Sequence, residues 1–243
     1  MVSKSQIKFI NRLKHKKYRV QDQLFIAEGV KTILELLKAS IIPHQIYTTQ
    51  SFNYDARKET IVSEHELKQI SSLSTPNQAL AIFEIPKPKP LQMEGLIIAL
   101  DAIRDPGNLG TIIRVCDWFG IEDLICSSNS VDCYNPKVIQ ATMGSIARVN
   151  IHYLDLKEFL NNNELPVFGA YMDGDNVYKT DLPSSGILIL GNEAQGISTE
   201  IESCIDQRIS IPRFGRSQVT ESLNVATAAA ILISEFKRSA IER

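Results

Sequence analysis

Six short strand-like runs follow residue 92 of this 243-residue chain, and helical patterns separate most of them. They are residues 96–100, 123–126, 149–152, 167–170, 187–190 and 208–211. Runs that are apolar throughout indicate strands buried on both faces, and strands that alternate with helices form parallel sheets. We therefore predict an α/β fold with helices on both faces of a parallel sheet. Because ligands bind such sheets beyond the carboxyl ends of the strands, functional residues are expected in the turns that follow them.

A proline-rich segment separates this domain from a smaller one. Pro86, Pro88 and Pro90 alternate with two lysines, and such a segment cannot continue a helix or a central strand. We predict a small α/β domain over residues 1–85, a linker over 86–92 and the larger domain over 93–243. In the small domain, hydrophobic periodicity predicts helices at 6–13 and 28–38 and from 63, and strands at 24–27, 45–48, 60–62 and 79–85.

Positive charge is concentrated at the beginning of the chain. The whole sequence carries 26 basic and 28 acidic residues, yet residues 1–20 contain seven Lys or Arg and no acid. Because such side chains dominate affinity for nucleic-acid phosphates, the run indicates RNA binding. A solvated helical face is the alternative. The candidate RNA-binding residues are Lys4, Arg12, Lys14, Lys16, Lys17 and Arg19.

Cysteine and histidine spacing argues against a metal site. The four cysteines contain no Cys-x-x-Cys pair and the four histidines are scattered, so we expect reduced thiols and no bound metal. The apolar runs are too short to span a bilayer, and the first residues lack an apolar signal core. The sequence therefore predicts a cytoplasmic protein without a membrane segment.

The first polar turn leads from the strand at 96–100 into a helix. Arg114 falls on the side of that helix opposite its apolar stripe, and Asn108 stands in its first turn. Asn108 can cap the helix or contact a ligand, and Arg114 can be a functional cation or merely an exposed charge. This turn alone leaves both interpretations open.

Two further turns carry polar and glycine residues. Gly191 and Gly196 flank a loop in which backbone groups could approach a flat ligand, and Glu193 could hold a polar group. The loop lacks the glycine fingerprint of dinucleotide sites and the phosphate-binding P-loop, which disfavours a Rossmann-type oxidoreductase. Asn224 stands beside Ser222 at the start of the terminal helix, where capping is the alternative to ligand binding.

Together, the three turns resemble the motifs of the SpoU, or TrmH-type, branch of the SPOUT RNA methyltransferases. In order, they are Asp105-Pro106-Gly107-Asn108-x-Gly110-x-x-x-Arg114, Leu190-Gly191-Asn192-Glu193-x-x-Gly196, and Ile211-Pro212 with Glu221-Ser222-Leu223-Asn224-Val225. Residues 5–85 resemble the substrate-binding domain of that family. The resemblance implies a small L30e-like α/β domain followed by a C-terminal parallel-sheet α/β trefoil knot.

The resemblance also implies an activity and a set of site residues. It implies S-adenosylmethionine as methyl donor, a homodimer whose interface completes the active site, and methylation of a ribose 2'-hydroxyl in 23S ribosomal RNA. Its catalytic positions correspond to Arg114, Asn108, Ser222 and Asn224, and its cofactor positions to Gly191, Asn192, Glu193, Gly196, Ile211 and Leu223. The loop at 213–220 is longer than the family pattern, and its role is open.

The proposed chemistry can be weighed from the residue types. A ribose hydroxyl must lose its proton as it attacks a sulfonium methyl group, so the site needs positioning and stabilisation of a developing alkoxide. Arg114 remains protonated, which suits it to that stabilisation and leaves the proton acceptor open. The alternatives are a transfer-RNA 2'-O-ribose methyltransferase and a ribosome-associated RNA-binding protein without catalytic activity.

Overall fold

The computed structural model describes residues 2–215 and 222–241. The chain forms two compact units, one of residues 1–87 and 132–148, the other of residues 88–131 and 149–243. The division after residue 87 lies inside the predicted linker. Residues 132–148 differ from the prediction, which placed them in the larger domain, because their helix packs against the first strand of the smaller unit.

The helices and strands alternate along most of the chain. The helices are α1 (Lys4–Arg12), α2 (Lys16–Asp22), α3 (Val30–Lys38), α4 (Glu64–Ile70), α5 (Pro106–Trp118), α6 (Pro136–Thr142), α7 (Leu156–Asn161), α8 (Thr199–Glu202) and α9 (Val225–Ile241). The strands are β1 (Leu24–Glu28), β2 (Pro43–Thr48), β3 (Glu59–Ile61), β4 (Ala79–Glu84), β5 (Leu96–Leu100), β6 (Asp123–Ser127), β7 (Asn150–Leu154), β8 (Val167–Asn176), β9 (Gly186–Leu190) and β10 (Gln207–Ser210). Short 3-10 turns occupy Ser145–Ala147 and Val177–Lys179.

The first unit has a mixed sheet in the order β1-β4-β2-β3. Strand β4 is antiparallel to both β1 and β2, whereas β3 is parallel to β2. Helices α1 and α4 both begin with capping boxes, formed by Ser3 with Gln6 and by Ser63 with Glu66. Helix α2 was not predicted, because its start lacks a side-chain cap and its buried residue, Arg19, is not apolar.

The second unit confirms the predicted parallel sheet. Its strands lie in the order β10-β8-β9-β5-β6-β7, and every neighbouring pair is parallel. Strands β5, β6 and β9 are buried along their whole length, which explains the apolar sequence of β5 and β9, whereas β6 also buries Asp123 and Ser127 at its ends. Helix α5 packs with α9, and α7 packs with α8. The trefoil knot stays an implication of the family resemblance.

None of the helices within the described ranges is long and apolar enough to cross a membrane.

Candidate active site

The sheet places two of the three motifs side by side. Strands β5 and β9 are neighbours in register, with Leu100 opposite Leu190 at their carboxyl ends. The backbone N–H of Asp101 donates to the carbonyl of Leu190 at 2.9 Å, so the turn after β5 begins against the end of β9. The polar residues that follow these strands therefore meet at one edge of the sheet.

The start of α5 orients Asn108 toward the second motif. Asp105 is the N-cap of the helix and accepts the backbone N–H of Asn108 at 2.8 Å, and Pro106 occupies the first helical position. The interpretation of Asn108 as the cap is therefore wrong. Its side-chain amide is free to donate to Oε1 of Glu193, at 2.8 Å.

Asn224 joins the third motif to this pair. Its Oδ1 accepts the backbone N–H groups of Ala226 at 2.9 Å and Thr227 at 3.3 Å, so it caps α9. Its Nδ2 donates to Oδ1 of Asn108 at 2.8 Å. Capping and participation in the site, which the sequence presented as alternatives, thus occur in the same side chain. The result is a hydrogen-bond chain from Asn224 through Asn108 to Glu193, one residue from each motif.

The loop after β9 is closed by its own backbone. The N–H groups of Asn192 and Gly196 each donate to the carbonyl of the other, both at 2.9 Å. Gly196 has a φ of +71°, a backbone conformation that residues with a side chain rarely adopt. A Cβ at Gly191 would stand 2.2 Å from the carbonyl carbon of Gly196. Glycine at 191 therefore makes room for the loop itself, whereas the sequence suggested that it makes room for a ligand.

A cavity of about 1120 Å³ lies between this loop and the residues around α9. It is lined by eight of the predicted site residues, namely Gly191, Asn192, Glu193, Gly196, Ile211, Ser222, Leu223 and Asn224. Five further residues, which were not predicted as site residues, complete its apolar walls: Leu190, Ile197, Ile209, Ala228 and Leu232. Leu190 is the first residue of the second motif, whereas the other four have no sequence signal beyond their apolar character.

The cavity fits S-adenosylmethionine in size and chemistry. Small-molecule sites commonly enclose several hundred to about a thousand Å³, mostly between apolar walls with a few polar groups. Here Leu190, Ile209 and Leu232 offer apolar surface to an adenine ring, and the loop at 191–197 offers backbone polar groups. Glu193, whose side chain carries a carboxylate, also lines the cavity.

Arg114 is not among the residues that line this cavity. It lies on α5 with an exposed side chain. Its guanidinium makes no hydrogen bond or ion pair with residues 2–215 or 222–241. The fold of one chain therefore brings Asn108 and Asn224 into contact but leaves the predicted catalytic cation open to solvent.

The predicted RNA-binding residues divide into three groups. Lys4, Lys16 and Lys17 are exposed. Arg12 forms an ion pair with Asp22 at 2.7 Å, and Lys14 donates to a backbone carbonyl while burial lowers its pKa.

Arg19 corrects the prediction. It is 2% exposed, and its Nε and Nη2 donate to one carboxylate oxygen of Asp132 at 3.0 and 2.5 Å. A third nitrogen, Nη1, donates to the carbonyl of Leu13 at 2.9 Å. A guanidinium that is buried and paired in this way cannot bind RNA phosphates, so its predicted RNA-binding role is wrong.

Within the described part of the chain, no three His, Cys, Asp or Glu side chains are grouped to hold a metal ion. Glu221 of the third motif, together with residues 216–220 of the long loop, lies outside the described residues.

Two family models match the chain, one in each of its parts. The SpoU rRNA Methylase family matches residues 95–234, and the MRM3-like substrate binding domain matches residues 4–81. The 23S rRNA (guanosine(2553)-2'-O)-methyltransferase RlmP of Bacillus subtilis is 29% identical over 242 residues, 96% of each chain.

Solved structures agree with this assignment. A Porphyromonas gingivalis chain ascribed to the TrmH family of RNA methyltransferases is 39% identical, with a TM-score of 0.88 over 98% of this chain and 99% of that one. An AdoMet-bound rRNA methyltransferase from Sinorhizobium meliloti is 27% identical, with a TM-score of 0.85 over 98% and 97%. The family match covers more than half of the chain and includes all three motifs, so this protein belongs to the SpoU rRNA methylase family.

Proposed function

We propose that this protein transfers a methyl group from S-adenosylmethionine to a ribose 2'-hydroxyl of 23S ribosomal RNA. The observation that carries the proposal is the hydrogen-bond chain from Asn224 through Asn108 to Glu193. It joins polar groups of three distant motifs, and two of its members, Glu193 and Asn224, line the cavity. The RlmP relative, which aligns along almost the whole chain, supports ribosomal RNA as the substrate class.

The cofactor role of the cavity rests on its lining and on a relative. The donor would be held by the loop from Gly191 to Gly196 and by Ile211 and Leu223, which line the cavity. The Sinorhizobium meliloti structure binds AdoMet with the same overall fold. When bound, the donor supplies an electrophilic sulfonium methyl group.

Arg114 is proposed to act on the nucleophile. As the ribose oxygen bonds to the methyl carbon and the carbon–sulfur bond breaks, the 2'-hydroxyl loses its proton to water or to an RNA phosphate. The guanidinium, which stays protonated, stabilises the negative charge that develops on that oxygen. Its exposure and the absence of a partner among the described residues leave it free to do so.

A homodimer in the cytoplasm is part of the proposal. Arg114 does not line the cavity of its own chain, so a complete site needs a further surface. Three apolar side chains around the cavity are exposed, Phe214 by 83%, Met172 by 52% and Leu223 by 46%. Exposed apolar groups of this kind mark protein–protein contacts, and a second copy would cover them.

Methyl transfer from tritiated S-adenosylmethionine to 23S rRNA transcripts tests the proposal. Wild-type protein should label the transcript at a ribose 2'-oxygen. Arg114→Ala should keep its affinity for the donor and lose most turnover, at least about a hundredfold if the guanidinium supplies the electrostatic stabilisation that such donors provide. Lys157→Ala, at a half-exposed surface ion pair, is the control.

Three outcomes would contradict the proposal. Normal methylation by Arg114→Ala would overturn the role of that residue. Labelling of transfer RNA but not of ribosomal RNA would favour the transfer-RNA enzyme. Failure of the wild type to bind S-adenosylmethionine in calorimetry would favour an RNA-binding protein without catalytic activity.

A further inference from the structure

The turn after β5 contacts both ends of the cofactor loop. Asp101, the first residue after the strand, is only 4% exposed. Its Oδ2 accepts the backbone N–H of Ser198 at 2.7 Å. Ala102, the next residue, accepts from Nδ2 of Asn192 at 2.7 Å through its carbonyl oxygen. Residues 101 and 102 therefore hold the loop where it leaves β9 and where it enters α8.

The turn is itself held in an unusual conformation. Ala102 has a φ of +57°, in the left-handed region that non-glycine residues seldom occupy. Its N–H donates to Oγ of the buried Ser127 at 2.8 Å, and that hydroxyl also contacts Asn129 and Ser130. Such backbone conformations cost energy and persist only where the surrounding structure fixes them, and they are common at binding sites.

The carboxylate of Asp101 accepts its hydrogen bond at the start of α8. Ser198 is the N-cap residue of α8, and its own side chain makes no capping hydrogen bond. The carboxylate of Asp101, in the turn after β5, instead accepts the backbone N–H of Ser198, and hydrogen bonds to ionised groups are stronger than those between neutral groups. Without it, the backbone N–H of Ser198 would lose this partner and the far end of the loop would lose its link to the turn after β5.

We propose that Asp101 is a positioning residue for the methyl donor: it fixes the loop from Gly191 to Ile197, which lines the cavity, without touching the donor. This inference rests on the proposed function of the cavity. It predicts that loss of the contact weakens donor binding and leaves RNA affinity unchanged, because the contact acts only on the loop.

The test measures the Kd for S-adenosylmethionine by calorimetry without RNA, and then KM for each substrate and kcat. Asp101→Ala should raise the Kd and the KM for the donor on the order of tenfold, as expected for one hydrogen bond to a charged group. Asp101→Asn, whose amide oxygen can still accept, should recover most of that affinity. The KM for RNA should not move in either variant.

Ser198→Pro removes the same hydrogen bond from its other side. Ser198 has a φ of −67°, which proline adopts, so the variant loses the N–H donor without forcing the φ angle. It should resemble Asp101→Ala, and the two changes together should weaken binding no more than either alone. Asp155→Ala is the matched control, because Asp155 caps α7 in the same unit but lies outside the cavity lining.

The outcomes separate this inference from the proposed function. If wild-type protein binds the donor and Asp101→Ala binds it equally well, the positioning role is refuted while the proposed function stands. If Asp155→Ala weakens binding as much as Asp101→Ala, the effect is general destabilisation and the inference also fails. If the wild type does not bind the donor, the proposed function fails first.

Discussion

The buried ion pair between Arg19 and Asp132 should make the first unit sensitive to the loss of either partner alone. The two side chains are 2% and 14% exposed, and the carboxylate faces two guanidinium nitrogens. Removing one partner of such a pair leaves an uncompensated buried charge, which costs about 3–5 kcal/mol. Asp132→Ala should therefore lower the free energy of unfolding by about that amount. A loss of this size corresponds to a decrease in Tm of roughly 6–20 °C for a chain of this length.

The assay is urea unfolding followed by circular dichroism, with hydrogen exchange to locate the change. Faster exchange is expected in β1 and α2, because Arg19 lies on α2 and the helix that follows Asp132 packs against β1. Asp22→Ala is the matched control. It removes another Asp–Arg pair in the same unit, but Arg12 is 37% exposed, so the expected loss is at most about 1 kcal/mol.

Two results would refute this reasoning. One is an equal loss of stability in Asp132→Ala and Asp22→Ala. The other concerns the double variant Arg19→Met with Asp132→Leu, which removes both charges together. It should be much more stable than Asp132→Ala, because apolar residues often replace a buried pair at little cost. If the double variant is as unstable as the single one, the uncompensated charge is not the cause.

Three further predictions concern single side chains. Asn224→Ser should keep the cap of α9 and lose the contact with Asn108, so the rate of methyl transfer should fall while Tm stays close to that of the wild type. Asn224→Ala removes the cap as well, so the free energy of unfolding in urea should also decrease by about 1 kcal/mol. Hydrogen bonds from Ser63 and the backbone of residue 2 lower the pKa of Glu66 to about 2. The stabilising contribution of Glu66 is therefore fully present above the ordinary pKa of 4.5 and is lost as the pH falls toward 2. In Glu66→Gln, the free energy of unfolding should depend less on pH in that range. Burial raises the pKa of the Cys116 thiol to about 12, so at pH 8 a thiol reagent should modify the partly exposed Cys204 and spare Cys116, as peptide mapping would show. The first prediction fails if Asn224→Ser is as active as the wild type, and the second fails if Glu66→Gln and the wild type lose stability equally as the pH falls. The third fails if the reagent modifies Cys116 as early as Cys204.

The parallel sheet could be predicted because its signal is local. Strands such as β5 and β9 are buried on both faces, so each is apolar at every position and can be recognised without its neighbours. The position of the site followed from the same reasoning, since polar turns after parallel strands meet at one edge. The pairing of Asn108 with Glu193 was not predictable, because 85 residues separate them.

Long-range packing explains the predictions that failed or were missing. Arg19 belongs to a basic run that indicates RNA binding, and its burial depends on Asp132, which is 113 residues away. The segment 132–148 likewise shows only a helical pattern, whereas its packing against β1 places it with the first unit. Neither the burial of Arg19 nor the packing of residues 132–148 can be recognised from the residues next to them in the sequence.

The same segment has a consequence for the stability of the first unit. Because residues 132–148 belong to the first unit, the chain passes between the units three times: after residues 87, 131 and 148. A protein in which residues 132–148 are removed and the first unit is attached only through 86–92 should unfold at a lower urea concentration than wild type, because β1 would lose the helix that packs on it. Unchanged urea unfolding of that variant would show that this packing contributes little to the stability of the first unit.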